Sequence, residues 1–304
     1  MKEKILRLNL YFGLFGLIFS AILLVLDVSF MKTWFFCCSW WSFILVMDSL
    51  NFRRSKASPL SDSVKNFLFF AFISVLVWLI FELFNLRVKN WTYHDLPPDI
   101  FERWIGYFVA YASVIPAMNE ISLFAQSFLS KKRLALFRIR GTPALLKSWF
   151  FSGIISFILV LAWPRLFFPF VWLCFIFMLE PLNVWLKNET LLKDLEKGDW
   201  TRFWSWLLAG LVAGFLWEFW NFWAGSHWEY SIPYLNFWRV FQMPVFGYTG
   251  FLPFALEVFA LYQLLFALYR KLQRKILFKS MIIILLLIFY AGAFYLIDTF
   301  TFIR

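Results

Sequence analysis

Nine runs of about 18 or more apolar residues, each long enough to cross the ~30 Å hydrocarbon layer as a helix, dominate this chain. They fall near 8–28, 33–50, 66–86, 103–129, 148–163, 166–185, 203–222, 244–269 and 280–298. The fifth and sixth are separated only by Trp163-Pro164-Arg165, which predicts a helical hairpin. Hydrophobic residues make up 62% of the chain and charged residues 15%, too little polar surface to cover a soluble core. The predicted fold class is an all-α polytopic integral membrane protein with about nine transmembrane helices. Disordered, collagen-like and disulfide-scaffold classes are excluded by the same composition.

A net charge of +11 invites a nucleic-acid reading, but the positions of the charges refute it. If the N-terminus and every second loop share one side, the other side holds only Lys32, Arg87, Lys89, Arg103, Arg165, Arg239 and Arg304. The remaining 22 of the 29 Lys and Arg lie on the N-terminal side, including Lys131, Lys132, Arg133, Arg274 and Lys275. This asymmetry predicts a bacterial inner (cytoplasmic) membrane protein with its N-terminus in the cytoplasm and its C-terminus outside. Its expected partners are membrane lipids, with anionic headgroups attracting the basic loops, and no nucleic acid. The start MKEKILRLNLYFGLFGLIF has an apolar stretch too long for a signal peptide and no small-residue cleavage pattern, so it is read as an uncleaved first helix.

An internal repeat carries most of the information. Phe81-Glu82-Leu83-Phe84-Asn85 overlays Trp217-Glu218-Phe219-Trp220-Asn221 at a shift of 136. Trp91 and Tyr93 overlay Trp228 and Tyr230 at 137, as do Tyr111 and Tyr248, Pro116 and Pro253, and Glu120 and Glu257. Asp48-Ser49-Leu50-Asn51 matches Glu180-Pro181-Leu182-Asn183 more loosely, at 132. The expected domains are 1–146 and 147–270, two four-helix membrane repeats, and 271–304, a C-terminal transmembrane helix. Four spans per unit is an even number, so both units enter from the same side and are expected to be parallel, related by a pseudo-two-fold axis along the membrane normal.

The repeated residues are the candidate site. Glu82 and Asn85 share a helical face, as do Glu218 and Asn221, and the asparagines are expected to orient the glutamates. Glu120 and Glu257 each follow a proline that frees a backbone carbonyl, predicting a kink with a polar spot beside a carboxyl group. A carboxylate in a bilayer costs about 2.5–3.5 kcal/mol and faces the bundle interior. Glu82, Glu120, Glu218 and Glu257 are therefore candidate catalytic acid/base groups. Asn85, Asn221, Trp91, Tyr93, Tyr111, Trp228, Tyr230 and Tyr248 are candidate substrate-binding residues, although Trp and Tyr in such loops also serve as interface anchors. A neutral carboxylic acid among aromatic faces could protonate an alkene and shelter the resulting cation, or bind a substrate cation directly. Asp48 and Glu180, at the ends of their helices, are read as solvated or paired with Arg53 or Lys187.

Several familiar chemistries have no support. His94 and His227 occupy different places in the two loops and lack further ligands at usable spacing, so no metal is expected. Cys37, Cys38 and Cys174 form no ligand motif and are read as small packing residues. Phosphate-loop, dinucleotide, serine-hydrolase and zinc-protease motifs are absent, as are the Asp-rich motifs of intramembrane prenyltransferases, and no cofactor is expected. Gly210 and Gly214 form a GxxxG that predicts close helix packing.

The phrases FELFNLRVKNWTY, FLWEFWNFWAG and FGYTGFLPFALE resemble an uncharacterised family of bacterial polytopic membrane proteins over nearly the whole chain, which implies a fold but no activity. A fainter resemblance is to membrane carotenoid (lycopene) cyclases with repeated proline–glutamate motifs. Pro116 and Glu120, like Pro253 and Glu257, are four apart and depart from that family's adjacent pattern, so no residue roles carry over. Three functional readings follow from the residues: an intramembrane enzyme acting on a lipid or isoprenoid, a proton-coupled transporter or binding protein for an apolar or amphipathic small molecule, and a structural subunit.

Overall fold

The computed structural model describes residues 2–56, 58–129, 136–272 and 276–303. Lys131, Lys132, Arg133, Arg274, Lys275 and Arg304, which entered the charge reading, lie outside these residues. Helix α1 (Lys2–Val25) turns through Asp27, at φ 62°, into α2 (Ser29–Ser55). A short α3 (Pro59–Asp62) leads to α4 (Val64–Val88), which is enclosed within the bundle. Strand β1 (Trp91–His94) follows, then α5 (Ile100–Tyr111) and α6 (Val114–Phe128).

A similar order of elements then returns. Helices α7 (Pro143–Ala162), α8 (Pro164–Phe167), α9 (Cys174–Trp185) and α10 (Leu191–Glu196) precede α11 (Thr201–Trp223). Strand β2 (His227–Tyr230) comes next, followed by a small ribbon of β3 (Arg239–Val240) and β4 (Met243–Pro244). Helix α12 (Tyr248–Leu272) and α13 (Ile276–Phe300) complete an all-α integral membrane protein.

Eight helical segments among the described residues are long and apolar enough to span a membrane. The expected sixth span is broken: Pro164–Trp172 and α9 meet at 41°, and nine spans are reached only if this bent pair counts as one. Pro164 and Pro169 lie in its first part, which ends in a 3-10 turn over Phe168–Trp172. The new helix start is tolerated because the Phe175 amide donates to Glu257 Oε1 at 2.8 Å. In a bilayer such an orphaned amide has no water to turn to.

The expected fourth span is also interrupted, between α5 and α6, and the cause is a serine from another helix. Ser74 Oγ donates to the Tyr111 carbonyl at 2.6 Å and accepts from the Ile115 amide at 3.0 Å. Those two backbone groups are four residues apart and would otherwise bond each other, so the hydroxyl is wedged into the ladder. Pro116 is then the third residue of α6, where a backbone donor has no helical partner to lose. Helix α12 runs on through Pro253 as one element.

Helices α1 and α13 turn rows of large apolar side chains outward, among them Tyr11, Phe12 and Phe15, and Leu277, Ile284 and Ile288. Such faces suit lipid. Helix α11 closes on α12 through Gly210, where a Cβ would come within 2.2 Å of the Phe251 carbonyl oxygen, as the GxxxG predicted.

The two ends of the bundle differ. At one end β1 and β2 pair antiparallel, and Tyr93 also bonds the chain's last described stretch, its amide to the Thr301 carbonyl and its carbonyl to the Ile303 amide. At the other end Ser49 Oγ donates to the Leu6 carbonyl at 2.9 Å, bringing the starts of α1 and the end of α2 together. Buried aromatic rings fill the seam between the halves, with Trp40 at 4.7 Å from Trp220 and Trp78 at 4.9 Å from Trp217.

Candidate functional site

Asn85 and Asn221 are fully buried and make the same contacts, which are not the expected ones. Asn85 Nδ2 donates to the Trp91 carbonyl at 2.8 Å, while its Oδ1 accepts from the Asn90 and Trp91 amides. Asn221 Nδ2 donates to the Trp228 carbonyl and its Oδ1 accepts from the Trp228 amide, both at 2.9 Å. Each side-chain amide thus grips the backbone of the tryptophan that starts its loop motif, and orients the glutamate only through that loop. A side-chain amide is well matched to this task, since it carries a donor and an acceptor side by side, as a backbone strand does.

The glutamates find aromatic donors instead. Glu82 Oε1 accepts from Trp78 Nε1 at 2.8 Å, Trp91 Nε1 at 3.2 Å and Tyr93 Oη at 2.5 Å. Tyr111 Oη donates onward to Tyr93 Oη at 3.1 Å, completing a chain from Tyr111 through Tyr93 to Glu82. In the other half Tyr230 Oη donates to Glu218 Oε1 at 2.7 Å. The second oxygens of both carboxyl groups have no hydrogen-bond partner. Burial and the adjacent glutamates hold the hydroxyls of Tyr93 and Tyr230 well above the ordinary tyrosine range, so both remain proton donors.

Strands β1 and β2 set Trp91 opposite Tyr230 and Tyr93 opposite Trp228. His94 falls opposite His227, and their rings stack at 5.7 Å. Behind this pair lies a cavity of about 390 Å³ with contributions from both halves. Trp91, Tyr93, Tyr111, Trp228 and Tyr230 stand on its wall. The two tryptophans are buried and turned inward, so they are not the membrane-interface anchors that their loop positions suggested. Tyr248 is the exception among the aligned tyrosines: its hydroxyl donates to the Val240 carbonyl and it does not line the cavity.

Glu120 and Glu257 are not brought to this wall. Glu120 Oε2 accepts from Asn51 Nδ2 at 2.6 Å, and the same amide nitrogen reaches the Glu120 carbonyl. Glu257 serves the start of α9, as described above. Neither carboxyl bonds a carbonyl freed by proline. Asp48 and Glu180 are buried rather than solvated or paired with Arg53 or Lys187. Asp48 accepts from Ser58 Oγ and the Leu60 amide, and Glu180 accepts from the Leu192 amide. These acids brace α3 and α10, whose N-caps Ser58 and Thr190 are themselves 132 residues apart.

One strong electrostatic feature escaped the repeat pattern because only one half has it. Asp298 of α13 accepts from Arg103 Nε at 2.7 Å and Nη2 at 2.8 Å, from Trp104 Nε1 and from Tyr107 Oη. Arg103 also donates to the carbonyls of Pro97 and Pro98. The signal was available in the lone carboxylate of α13, which lies at the opposite end of that helix from Lys279 and demands a partner. Cys37 and Cys174 are buried and Cys38 half-buried, with all three thiols free. Among the described residues no cluster of His, Cys, Asp or Glu could hold a metal ion.

Comparison with known protein families, curated proteins and solved structures finds no match to this chain.

Proposed function

We propose that this membrane protein takes an apolar or amphipathic small molecule of the lipid or isoprenoid class into the aromatic cavity and exchanges protons with it there. The observation that carries this reading is the convergence of two tyrosine hydroxyl chains, each ending on a buried glutamate, on one cavity. Glu82 and Glu218 are the proton reservoirs. Tyr93, Tyr111 and Tyr230 are the groups that meet the ligand, and Asn85 and Asn221 hold the loops that carry them. As a substrate gives a proton to a tyrosine oxygen, the tyrosine's own proton can pass to the carboxylate, and the reverse transfer returns it, so these chains suit general acid–base catalysis on a bound substrate. Glu120 and Glu257 stay outside the reacting set.

The cavity lies between two parallel four-helix repeats in this reading. Its support is the matching contacts of Asn85 and Asn221 and of Asp48 and Glu180. The inner membrane of a bacterium is the proposed location, with the N-terminus in the cytoplasm and the paired strands outside. The basic loops and the opposite-end placement of Leu6 and Thr301 support that orientation.

Mass spectrometry of molecules that co-purify with the intact protein tests the proposal, with Gly106→Trp as control. Gly106 lines the cavity, and a Cβ there meets nothing within 4 Å, so the bulk enters open space. An apolar or amphipathic species enriched in the native protein and missing from Gly106→Trp is the expected result. Identical bulk phospholipid in both would count against it.

A second reading is favoured by the buried acids that do not line the cavity. Asp48, Glu120, Glu180 and Glu257 supply buried carboxyls away from the cavity, as a proton-coupled carrier requires. Movement of the ligand into vesicles without chemical change would select that reading over the enzyme.

A further inference from the structure

The tyrosine hydroxyls on the cavity wall have their hydrogens committed to partners behind it. A tyrosine hydroxyl carries one donor and two acceptor lone pairs. Tyr111 donates to Tyr93 and Tyr230 donates to Glu218, which leaves the oxygens of both as acceptors. Asn90 Oδ1 is buried on the same wall and has no partner, another acceptor. Several of the wall's other donors are spent elsewhere. Trp78 and Trp91 serve Glu82, Trp34 serves Glu102, Ser226 serves the Asp95 carbonyl and Thr249 the Phe246 carbonyl.

The sole Arg or Lys among the described residues on the wall is Arg103, and Asp298 neutralises it through two hydrogen bonds. No free cation is therefore left there to greet a phosphate or carboxylate. Around these acceptors the surface is aromatic. Trp78 lies 6.1 Å from Trp91 and 4.9 Å from Trp217, which lies 5.7 Å from Trp228, so indole rings run from one strand to the other. Indole and phenol faces attract cations, and more strongly once desolvated. Behind the rings stand the carboxyl groups of Glu82 and Glu218, which accept from the wall's tyrosines.

We infer that the cavity selects an organic ammonium, a protonated amine on an apolar body, with Tyr111, Tyr230 and Asn90 accepting its N–H groups and the tryptophans covering its charge. The inference rests on the proposed binding role of this cavity and names the chemistry of its ligand. Its source is either a free amphipathic amine or an amine-bearing lipid headgroup, and the uncompensated phosphate of the latter disfavours it.

The test is equilibrium binding to the full chain in phosphatidylcholine nanodiscs, read by tryptophan fluorescence and calorimetry, with empty nanodiscs subtracted. The probes share one alkyl chain: octylammonium, octyltrimethylammonium, octanol, octanoate and an octyl phosphoethanolamine ester. Octylammonium is expected to bind about tenfold or more tighter than octanol and octanoate. The trimethyl compound, which has no N–H, should fall between them. Tyr111→Phe, which keeps the ring and removes an acceptor, should narrow the gap between octylammonium and its trimethyl analogue. Gly106→Trp should abolish saturable binding of all.

If octanol or octanoate matches octylammonium while Gly106→Trp still blocks them, the ammonium inference falls and the cavity reading stands. If no probe binds saturably, or Gly106→Trp changes nothing, the cavity reading falls with it. Binding of the phosphoethanolamine ester equal to octylammonium would support the ammonium and assign it to a lipid headgroup; weaker binding assigns it to a free amine.

Discussion

Tyr93 stands opposite Trp228 in the β1–β2 pair, two positions along from Trp91 opposite Tyr230. Adding 137 to Trp91 and Tyr93 gives Trp228 and Tyr230, so the shift exchanges one pair for the other. Contacts in which each residue meets its counterpart's neighbour are what a two-fold axis imposes on a self-complementary surface. The pairing therefore supports parallel repeats that meet at the cavity, and it makes the two loops depend on each other.

Glu82 concentrates three buried donors on one oxygen. Glu82→Ala should orphan Trp78 Nε1, Trp91 Nε1 and Tyr93 Oη, at a cost on the order of 1–3 kcal/mol for each donor left unpaired. Glu82→Gln keeps an acceptor and should lose markedly less. The thermal midpoint in detergent, followed by tryptophan fluorescence, reads the difference; equal losses would mean that the hydrogen bonds are not what holds this region.

Breaking the Arg103–Asp298 pair from one side leaves a buried charge without its partner. Arg103→Met alone and Asp298→Leu alone should each cost about 3–5 kcal/mol, and the double variant should recover part of that loss. A double-mutant thermal series measures the coupling. Strictly additive losses would show that Arg103 and Asp298 are not coupled to each other.

Ser74 bonds the two backbone groups that its own intrusion separates. Ser74→Ala should destabilise the protein by about 1–3 kcal/mol, because the Tyr111 carbonyl and Ile115 amide lie where water cannot replace the hydroxyl. Thermal stability is again the measurement. A neutral result would mean that α5 and α6 can rejoin as one straight helix at no cost.

Tyr93 and Tyr230 bind their protons more tightly in the folded protein than in the unfolded chain. Their contribution to stability is then complete below the ordinary tyrosine range of about pH 10 and declines as pH rises above it. Ultraviolet titration should find Tyr93 and Tyr230 among the tyrosines that remain un-ionised in alkali until the protein unfolds. Their ionisation near the ordinary value of about pH 10 would contradict the enclosed Glu–Tyr geometry.

Much of the architecture was legible in hydropathy, because a bilayer requires long apolar helices whatever their contacts. What hydropathy cannot register is a single group that ends a helix locally. The hydroxyl of Ser74 and the carboxyl of Glu257 each satisfy backbone at a break, and both reach there from a different helix. Repeat spacing identified Glu82, Asn85, Glu218 and Asn221 as special, but their roles depend on how the chain folds back after the helix. Asn85 and Asn221 turn to backbone, and the glutamates turn to rings brought by the following strand. Glu120 and Glu257 share a sequence position yet meet an asparagine in one half and a helix start in the other. Similar spacing specifies place in the chain, whereas partners come from elements far away in it.

The serine wedge has a counterpart that behaves in the opposite way. The residue 136 positions beyond Ser74 is Gly210, and where Ser74 parts a helix, Gly210 lets α11 press directly against an unbroken α12. One side of the cavity is thus borne on a jointed span and the other on a stiff strut. The two walls therefore differ in kind, one carrying a break beside Tyr111 and the other a continuous helix.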